Sequence, residues 1–256
     1  MSPRVLLLLI FVITTWISCQ KDKNTITFNG DTTNGVLLTH LTADNAYIND
    51  NYYYENQTSF KIEYKSNYDS VKIEPIQGNN AIKFKVNPDT DYLNERAEIR
   101  IVEMVPFSEG MKWVSLNLFA TAPVQGIIFQ CHQFPPNNPP IAIRSTGNGK
   151  LYLEIFNDHT IQSTPLSYEI GQAHINEWNR IIIGFQADPA GNGNIIIYFN
   201  NTQAPDIVFK GAVGFSFERQ FFDTIKFGIY RGRGKQTTDV VYVDEIKYGT
   251  TFTSVK

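Results

Sequence analysis

The feature that most constrains the fold of this chain is a repeated series of short segments in which apolar and polar residues alternate. From Thr25 onward these segments recur between turn-forming residues, with no helical period longer than two turns. Alternation with period two is typical of strands with one buried face, and many short strands separated by turns are typical of a sandwich or barrel. We therefore predict an all-β fold of two packed antiparallel sheets. The predicted strands cover residues 59–64, 70–74, 81–86, 96–104, 113–120, 126–133, 141–144, 151–156, 165–170, 178–186, 194–199, 221–231 and 240–248.

The amino terminus predicts export. A short positive start precedes an apolar run over residues 5–13, and Ser18 precedes Cys19. This order is that of a secretory signal, and the run is too short for a membrane-spanning helix. Ser18 followed by Cys19 resembles a bacterial lipobox, in which Cys19 becomes the lipidated first residue; the alternative is an ordinary cleavage site beside an incidental cysteine. We predict a signal peptide over 1–18, a lipidated tether over 19–24, and a lipid anchor in the bacterial cell envelope, on the periplasmic side or at the cell surface.

Length, charge and cysteine content further restrict the class of protein to which the chain can belong. Removal of residues 1–18 leaves 238 of the 256 residues, which suits one large all-β domain over residues 25–256. The net charge of −3 and the lack of a Lys/Arg block argue against a nucleic-acid partner. With Cys19 lipidated, Cys131 has no partner for a disulfide, and we predict that it is a small core residue. The chain is expected to be a monomer.

Three of the predicted strands have one apolar and one polar face, because side chains alternate along a strand. A solvated charged face would explain any one of them, but the arrangement occurs three times. Guanidinium groups in such a strand match the geometry of a carboxylate and therefore suit an acidic ligand. The polar faces carry Arg96, Glu98 and Arg100 in the first strand, Gln130 and His132 in the second, and Lys226 and Tyr230 in the third.

This set of side chains suits β-elimination on a polymer of uronic acids. The reaction removes a weakly acidic carbon-bound proton next to a carboxylate. An Arg and a Gln amide at that carboxylate can stabilise the negative charge that develops, as an oxyanion hole does. A His or Tyr can take the proton, and a Tyr can return one to the leaving oxygen. Chemistry of this kind requires no metal ion or organic cofactor.

Three motifs carry a resemblance to a known family. Arg-Ala-Glu-Ile-Arg at 96–100, Gln-Cys-His at 130–132 and Lys-Phe-Gly-Ile-Tyr at 226–230 resemble the signature strands of the jelly-roll polysaccharide lyases. This group comprises the alginate lyases of polysaccharide lyase family 7, the glucuronan lyases and the heparin lyase I-like enzymes. The resemblance implies a concanavalin A-like jelly roll and an acidic polysaccharide as the partner. A structural calcium ion is compatible with it, although no residue pattern here indicates one.

The resemblance also implies roles for individual residues. Arg96 and Gln130 would neutralise the carboxylate of the substrate. His132 would be the base for one epimer, and Tyr230 the acid, or both acid and base for the other epimer. The residues expected to position the substrate are Glu98, Arg100 and Lys226.

Departures from the family pattern weaken the link to one polymer. Thr224 stands where the alginate lyases have a Tyr, so an acidic polysaccharide is predicted without a named sugar. Arg231, Arg233 and Lys235 lie on or beside a Gly-flanked loop after Tyr230 and are expected to bind further anionic sugars; the alternative is an ordinary solvated loop. A regular strand would direct Arg231 to the face opposite Tyr230.

Other functions remain open at this point. A carbohydrate-binding surface lipoprotein without catalysis could share the sandwich, since fold does not fix function. The combination of Arg96, Gln130, His132 and Tyr230 favours an enzyme over it. A glycoside hydrolase needs a pair of carboxylates, and the Glu-x-Asp-x-x-Glu strand of the related glucanases is missing. A structural lipoprotein without a ligand would leave the three matched strands as coincidence. The remaining histidines show no metal-ligand spacing.

Overall fold

The structure of the chain is a computed structural model. It describes residues 35–55, 58–64, 70–88, 94–134, 138–160, 163–216, 219–232 and 235–256. The predicted signal peptide, the tether with Cys19, and Arg233 lie outside the described residues, so those predictions stay predictions.

The described residues form strands almost throughout, joined by short turns. The strands in chain order are β1 (Leu37–Leu41), β2 (Tyr47–Asn49), β3 (Tyr52–Glu55), β4 (Thr58–Tyr64), β5 (Ser70–Ile76), β6 (Asn79–Val86), β7 (Asn94–Pro106), β8 (Lys112–Phe119), β9 (Gly126–His132), β10 (Ile141–Ser145), β11 (Lys150–Ile155), β12 (Leu166–Gln172), β13 (Trp178–Gln186), β14 (Asp188–Phe199), β15 (Ile207–Val213), β16 (Phe221–Gly232) and β17 (Asp239–Gly249). A 3-10 turn spans Phe107–Glu109, and a short helix, α1, spans Phe252–Val255. Within the described part of the chain, no helix has the length and apolar character needed to span a membrane.

The strands form two sheets. The eight-stranded sheet, called the back sheet, has the order β15-β14-β13-β8-β17-β6-β5, with β1 also paired to β17. The nine-stranded sheet, called the front sheet, has the order β12-β11-β10-β9-β16-β7-β4-β3-β2. Each strand pair resolved in the described residues is antiparallel.

Aromatic side chains from both sheets meet in the core between them. Phe84 of the back sheet packs edge-on against Phe227 of the front sheet, with ring centroids 5.6 Å apart. Phe185 and Phe222 make a similar contact at 5.8 Å. Facing sheets whose inner side chains interlock define a β-sandwich. The predicted fold class, an antiparallel two-sheet sandwich of the jelly-roll type, is confirmed.

Four strands were not predicted: β1, β2, β3 and β15. They share a weak sequence signal. Strand β3 reads Tyr-Tyr-Tyr-Glu, and three identical residues show no alternation even though Tyr53 is fully buried while Tyr52 is exposed. Strand β2 has three residues and lies at the edge of the front sheet. Alternation identifies a strand only where the residue types differ between the two faces.

Candidate active site

The three polar strands predicted from sequence, β9, β16 and β7, are neighbours in the front sheet. Lys226 on β16 pairs with Arg100 on β7 and with Gln130 on β9, and Tyr230 pairs with Arg96. Side chains paired across neighbouring strands have Cβ atoms about 4.5–5.5 Å apart. The structure thus brings the predicted residues onto one surface. We call this surface the front cluster; it comprises Arg96, Glu98, Arg100, Gln130, His132, Lys226 and Tyr230.

The front cluster lies on the face of the front sheet that points away from the back sheet, which we call the outer face. The residues between its members point inward, since Ala97, Ile99, Phe227 and Ile229 are all buried in the core. Cys131 also belongs to this core, as predicted, and burial raises the pKa of its thiol. A buried thiol with a raised pKa is a poor nucleophile.

Glu63 on β4 lies at the centre of the front cluster, although it belongs to none of the three sequence motifs. Its carboxylate accepts hydrogen bonds from Arg96 Nη1 at 3.0 Å, Arg100 Nε at 2.6 Å and Lys226 Nζ at 2.8 Å. Burial raises the pKa of Glu63, but Lys226, followed by the two arginines, outweighs burial and lowers the pKa to about 2. Glu63 is therefore shared by three cations, and together with the neighbouring Glu98 there are three cations and two carboxylates, which leaves a local excess of positive charge.

Glu98 holds the amide of Gln130 and the guanidinium of Arg96. Gln130 Nε2 donates to Glu98 Oε1 at 2.5 Å, and Arg96 Nε lies 3.0 Å from Glu98 Oε2. Glu98 is 1% exposed, and burial raises its pKa against the opposing effect of Arg96 and Lys226. Burial likewise lowers the pKa of the Lys226 ammonium, although both glutamates oppose this. The buried Glu98 therefore orients the two groups expected to bind a substrate carboxylate.

His132 is held in its neutral form. Burial, together with the positive charge of Lys226, lowers its pKa to about 4, and Asp223 only partly opposes this. Its Nδ1 lies 3.4 Å from Asp223 Oδ2. If Nδ1 carries the proton toward Asp223, Nε2 keeps a lone pair for an incoming proton. This arrangement suits a general base at neutral pH.

Tyr230 lies under the guanidinium of Arg96, whose Cζ is 4.3 Å from the centre of the tyrosine ring. This is a cation–π contact. Strand β16 has one extra residue relative to β9 between Phe227 and Tyr230, and Gly228 within it has a φ of 139°. A Cβ on Gly228 would lie 2.2 Å from the carbonyl oxygen of Ala97. The bulge at Gly228 therefore needs glycine, and it sets the register that pairs Tyr230 with Ile127 of β9.

His132 and Tyr230 lie at opposite ends of the front cluster. His132 on β9 pairs with Thr224 on β16, whereas Tyr230 on β16 pairs with Ile127 on β9. The two positions are five residues apart along β9, or about 17 Å at the usual rise per residue. Lys226 and Gln130 lie between them. Both side chains can reach one sugar only if each extends along the outer face toward Lys226 and Gln130.

Arg231 does not join the front cluster. Arg231 follows Tyr230 and points into the molecule, where it is 2% exposed. It makes ion pairs with Glu95 and Asp239 and donates from Nη2 to the carbonyl oxygen of Thr237 at 2.8 Å. The alternation of β16 directs it away from the outer face, so we do not include it among the groups that contact a ligand there. Arg233, as noted, lies outside the described residues.

Asp223 and Glu63 were missed for different reasons. Glu63 lies in a strand predicted correctly from its alternation, but only the pairing of β4 with β7 brings it to Arg96. Asp223 comes from β16 beyond the motif and approaches His132 through the pairing of β16 with β9. Across the described ranges, no group of three or more His, Cys, Asp or Glu side chains is arranged to hold a metal ion.

Comparisons with solved structures show the same fold in carbohydrate-active proteins. The endo-β-1,4-glucuronan lyase of the fungus Trichoderma reesei matches with a TM-score of 0.66 and 15% sequence identity, over 86% of this chain and 98% of that chain. A carbohydrate esterase from Shiga toxin-encoding bacteriophage phi24B matches with a TM-score of 0.50 and 12% identity, over 85% and 99%. At such identities the likeness to these two proteins is one of fold. An alginate lyase in complex with dimannuronate gives a TM-score of 0.47 and 12% identity, over 66% and 73%, and this score does not establish a shared fold.

Comparison of sequences gives the family. No curated protein sequence matches this chain. A family model described as polysaccharide lyase matches residues 46–247. This range includes all three motifs and each member of the front cluster, in agreement with the resemblance found in the sequence. The chain therefore belongs to the polysaccharide lyase family.

Proposed function

We propose that the chain cleaves a uronic-acid-containing polysaccharide by β-elimination. The observation that carries this proposal is the front cluster, in which three cations, Arg96, Arg100 and Lys226, contact Glu63, and Glu98 is the second carboxylate beside them. A neutral His132 and a Tyr230 lie at the two ends of this group. The cations supply a site for a substrate carboxylate, and the other two residues supply the proton transfers.

The carboxylate of the substrate binds over the centre of the front cluster. Lys226, Arg100 and Gln130 lie in one row across three strands, and their donors are already oriented by Glu63 and Glu98. As the proton next to the carboxylate leaves, negative charge spreads onto the carboxylate oxygens. Preorganised donors stabilise this charge without rearranging during the reaction. No metal ion or organic cofactor is needed, because side chains provide the positive charge.

His132 removes the proton and Tyr230 protonates the leaving oxygen. The neutral imidazole takes the proton from C5 of the uronic acid, the bond between C4 and the glycosidic oxygen breaks, and a C4–C5 double bond forms. The phenol of Tyr230 gives its proton to the leaving oxygen. The lowered pKa of His132 keeps its imidazole unprotonated at neutral pH, so that a lone pair is available for the proton. The family resemblance also allows Tyr230 to perform both steps, and variants of the two residues distinguish these schemes.

The test is the absorbance of the unsaturated sugar that elimination creates, at ~235 nm, since this product reports the reaction type directly. The purified chain is incubated with alginate, glucuronan, heparin-type glycans, ulvan and pectate. A rise with one of these polymers supports the reaction and identifies the uronic acid. Binding to a polymer without any rise would contradict the lyase reaction and favour the non-catalytic carbohydrate-binding protein.

The lipid anchor is a separate proposal. We propose that Cys19 is lipidated and ties the enzyme to the bacterial envelope, where polymers outside the cytoplasm are accessible. The support is the order of charged, apolar and small residues before Cys19. Cys19→Ala is expected to release the protein from the membrane fraction. Continued lipid labelling of that variant would contradict the proposal.

A further inference from the structure

Three tyrosines on the hairpin of β2 and β3 form an exposed aromatic surface, which we call the tyrosine platform: Tyr47, Tyr52 and Tyr54. The rings of Tyr47 and Tyr54 are stacked, with centroids 4.9 Å apart and planes inclined by 7°. Tyr52 leans on Tyr54 at 6.2 Å. Tyr47 is 59% exposed and Tyr52 is 42% exposed. Grouped aromatic rings held in solvent often mark a binding surface.

The tyrosine platform lies on the same face of the front sheet as the front cluster. Tyr53 points inward and contacts the ring of Phe60 in the core, so Tyr52 and Tyr54 on either side of it point outward. On β4, Phe60 and Ile62 are likewise buried, which directs Lys61 and Glu63 outward. The alternation of both strands therefore gives one shared outer face.

A row of side chains connects the tyrosine platform to the front cluster. Tyr52 pairs with the exposed Lys61, and the pairing of Ile62 with Ile99 places Lys61 beside Arg100. Arg100 in turn pairs with Lys226. Three strand spacings of about 4.8 Å separate β3 from β16, a span of about 14 Å. This span exceeds one sugar ring, so a ligand that reaches both regions must be a chain of sugars.

The chemistry of the row matches a polymer of acidic sugars. A tyrosine ring offers an apolar surface with a hydroxyl at its edge, which suits the C–H face and the hydroxyl groups of a pyranose. Lys61 and Arg100, which follow in the row, suit its carboxylates. The hairpin is closed by the two-residue turn Asp50–Asn51, with Asp50 at a φ of 51°, so the platform is held in place before a ligand arrives.

We propose that the tyrosine platform is a distal sugar-binding subsite, which holds the same anionic polysaccharide strand whose next residues enter the front cluster. This inference rests on the substrate class given under the proposed function. It gives β2 and β3 a role in recognising long polymers, and this role is separate from that of the residues that perform the reaction.

The test uses two double variants of the full chain. Tyr47→Leu/Tyr52→Leu keeps apolar bulk but removes the rings, and Tyr47→Phe/Tyr52→Phe keeps the rings and serves as the matched control. Binding to glucuronan and to alginate is measured by affinity electrophoresis. The leucine pair is expected to bind the responsive polymer about tenfold more weakly, which corresponds to ~1.4 kcal/mol. The phenylalanine pair should stay close to the original protein, and both should keep its melting temperature, because the two substituted rings are exposed.

Several outcomes would overturn this inference. If the leucine pair and the original protein bind the polymer with equal affinity, the rings have no role in binding. If the original protein binds neither polymer, the subsite is likewise contradicted. A leucine pair that changes oligomeric state in size-exclusion chromatography with unchanged polymer binding would show that the platform holds a second copy of the chain. Ring-dependent binding without any product at ~235 nm would contradict the reaction but support the subsite. Normal product formation with an unchanged KM for long polymer in the leucine pair would contradict the subsite alone.

Discussion

Tyr230 and Arg231 are adjacent in sequence, yet they belong to two ionic regions on opposite faces of the front sheet. Tyr230 lies on the outer face under Arg96, in the front cluster. Arg231 lies on the inner face, where it pairs with Glu95 and Asp239; we call these three residues the buried triad. Both regions are built on β7 and β16, and the same register that pairs Tyr230 with Arg96 pairs Arg231 with Glu95.

The two regions differ in how their charges are matched. In the buried triad, two carboxylates and the carbonyl oxygen of Thr237 surround one guanidinium, and all three members are almost fully buried. In the front cluster, three cations face two carboxylates, Glu63 and Glu98, and Arg96 and Arg100 keep part of their surface exposed. The first arrangement leaves no capacity for a ligand and holds the strands together. The second leaves positive charge at the surface that an acidic ligand can neutralise.

The largest effect is expected in the front cluster. His132→Ala should reduce kcat by about 10²–10⁴-fold, the usual contribution of a general base. The fold should persist, because His132 lies on the outer face. Absorbance at ~235 nm measures the rate and thermal unfolding checks the fold.

Tyr230→Phe is the matched variant at the other end of the cluster. It keeps the ring under Arg96 and removes only the hydroxyl. If Tyr230→Phe loses activity while His132→Ala retains it, Tyr230 performs both proton transfers. Near-normal rates in both variants would refute the assignment of these residues.

In the original protein, kcat/KM should decrease when the pH is lowered below about 4, because His132 then becomes protonated.

The next largest effect is expected on stability, from a substitution in the buried triad. Arg231→Ala should lower the free energy of unfolding by about 3–5 kcal/mol, because it removes the guanidinium that pairs with the buried carboxylates of Glu95 and Asp239. Urea denaturation measures the change. Arg100→Ala is the control on the neighbouring strand; its guanidinium is partly exposed, so it should destabilise the protein much less. Equal losses in the two variants would contradict the distinction between the regions.

The smallest effect is expected at Glu63. Glu63→Gln should lower KM for an anionic polymer a few-fold, since the three cations lose the counter-charge that they share, and it should lower kcat because they are held less firmly. The variant should also change the pH dependence of stability. The pKa of Glu63 is about 2 in the folded protein, below its ordinary value of 4.5.

A lowered folded pKa stabilises the protein above the unfolded pKa, and this contribution is lost as the pH falls. The original protein should therefore be more stable than Glu63→Gln at pH 7, and the difference should shrink between about pH 4.5 and pH 2. Urea unfolding at several pH values measures it. A difference that does not depend on pH would show that Glu63 contributes by packing and not by charge.

Much of the fold follows from the sequence, because burial on one face imposes a strict alternation. The strands that carry the front cluster have apolar residues such as Ala97, Ile99 and Phe227 on the core side, and these strands were predicted. Strands without a clear alternation escaped prediction, because such a strand can be short, as the edge strand β2 is, or repeat one residue type, as its neighbour β3 does. Pairing with a neighbour stabilises such strands where their own pattern does not.

The candidate site was predictable only in part, and the limit is the same for each missed residue. Motifs reveal which side chains share a face of one strand, such as Arg96 and Glu98. They do not reveal which strand lies beside it. Glu63 is 33 residues from Arg96 in the chain and Asp223 is distant from His132, so both contacts depend on the order of strands in the sheet.

The sequence by itself determined the class of fold, the two-faced strands and the set of side chains suited to an acidic ligand. These properties are local, because they arise from alternation and side-chain chemistry within a few residues. Only the tertiary structure decided which charges meet: that Glu63 joins three cations, that burial and Lys226 keep His132 neutral, and that Tyr47 and Tyr52 share an outer face with Arg100. Pairing, register and burial join residues far apart in the chain, and an electrostatic environment exists only once they are in place.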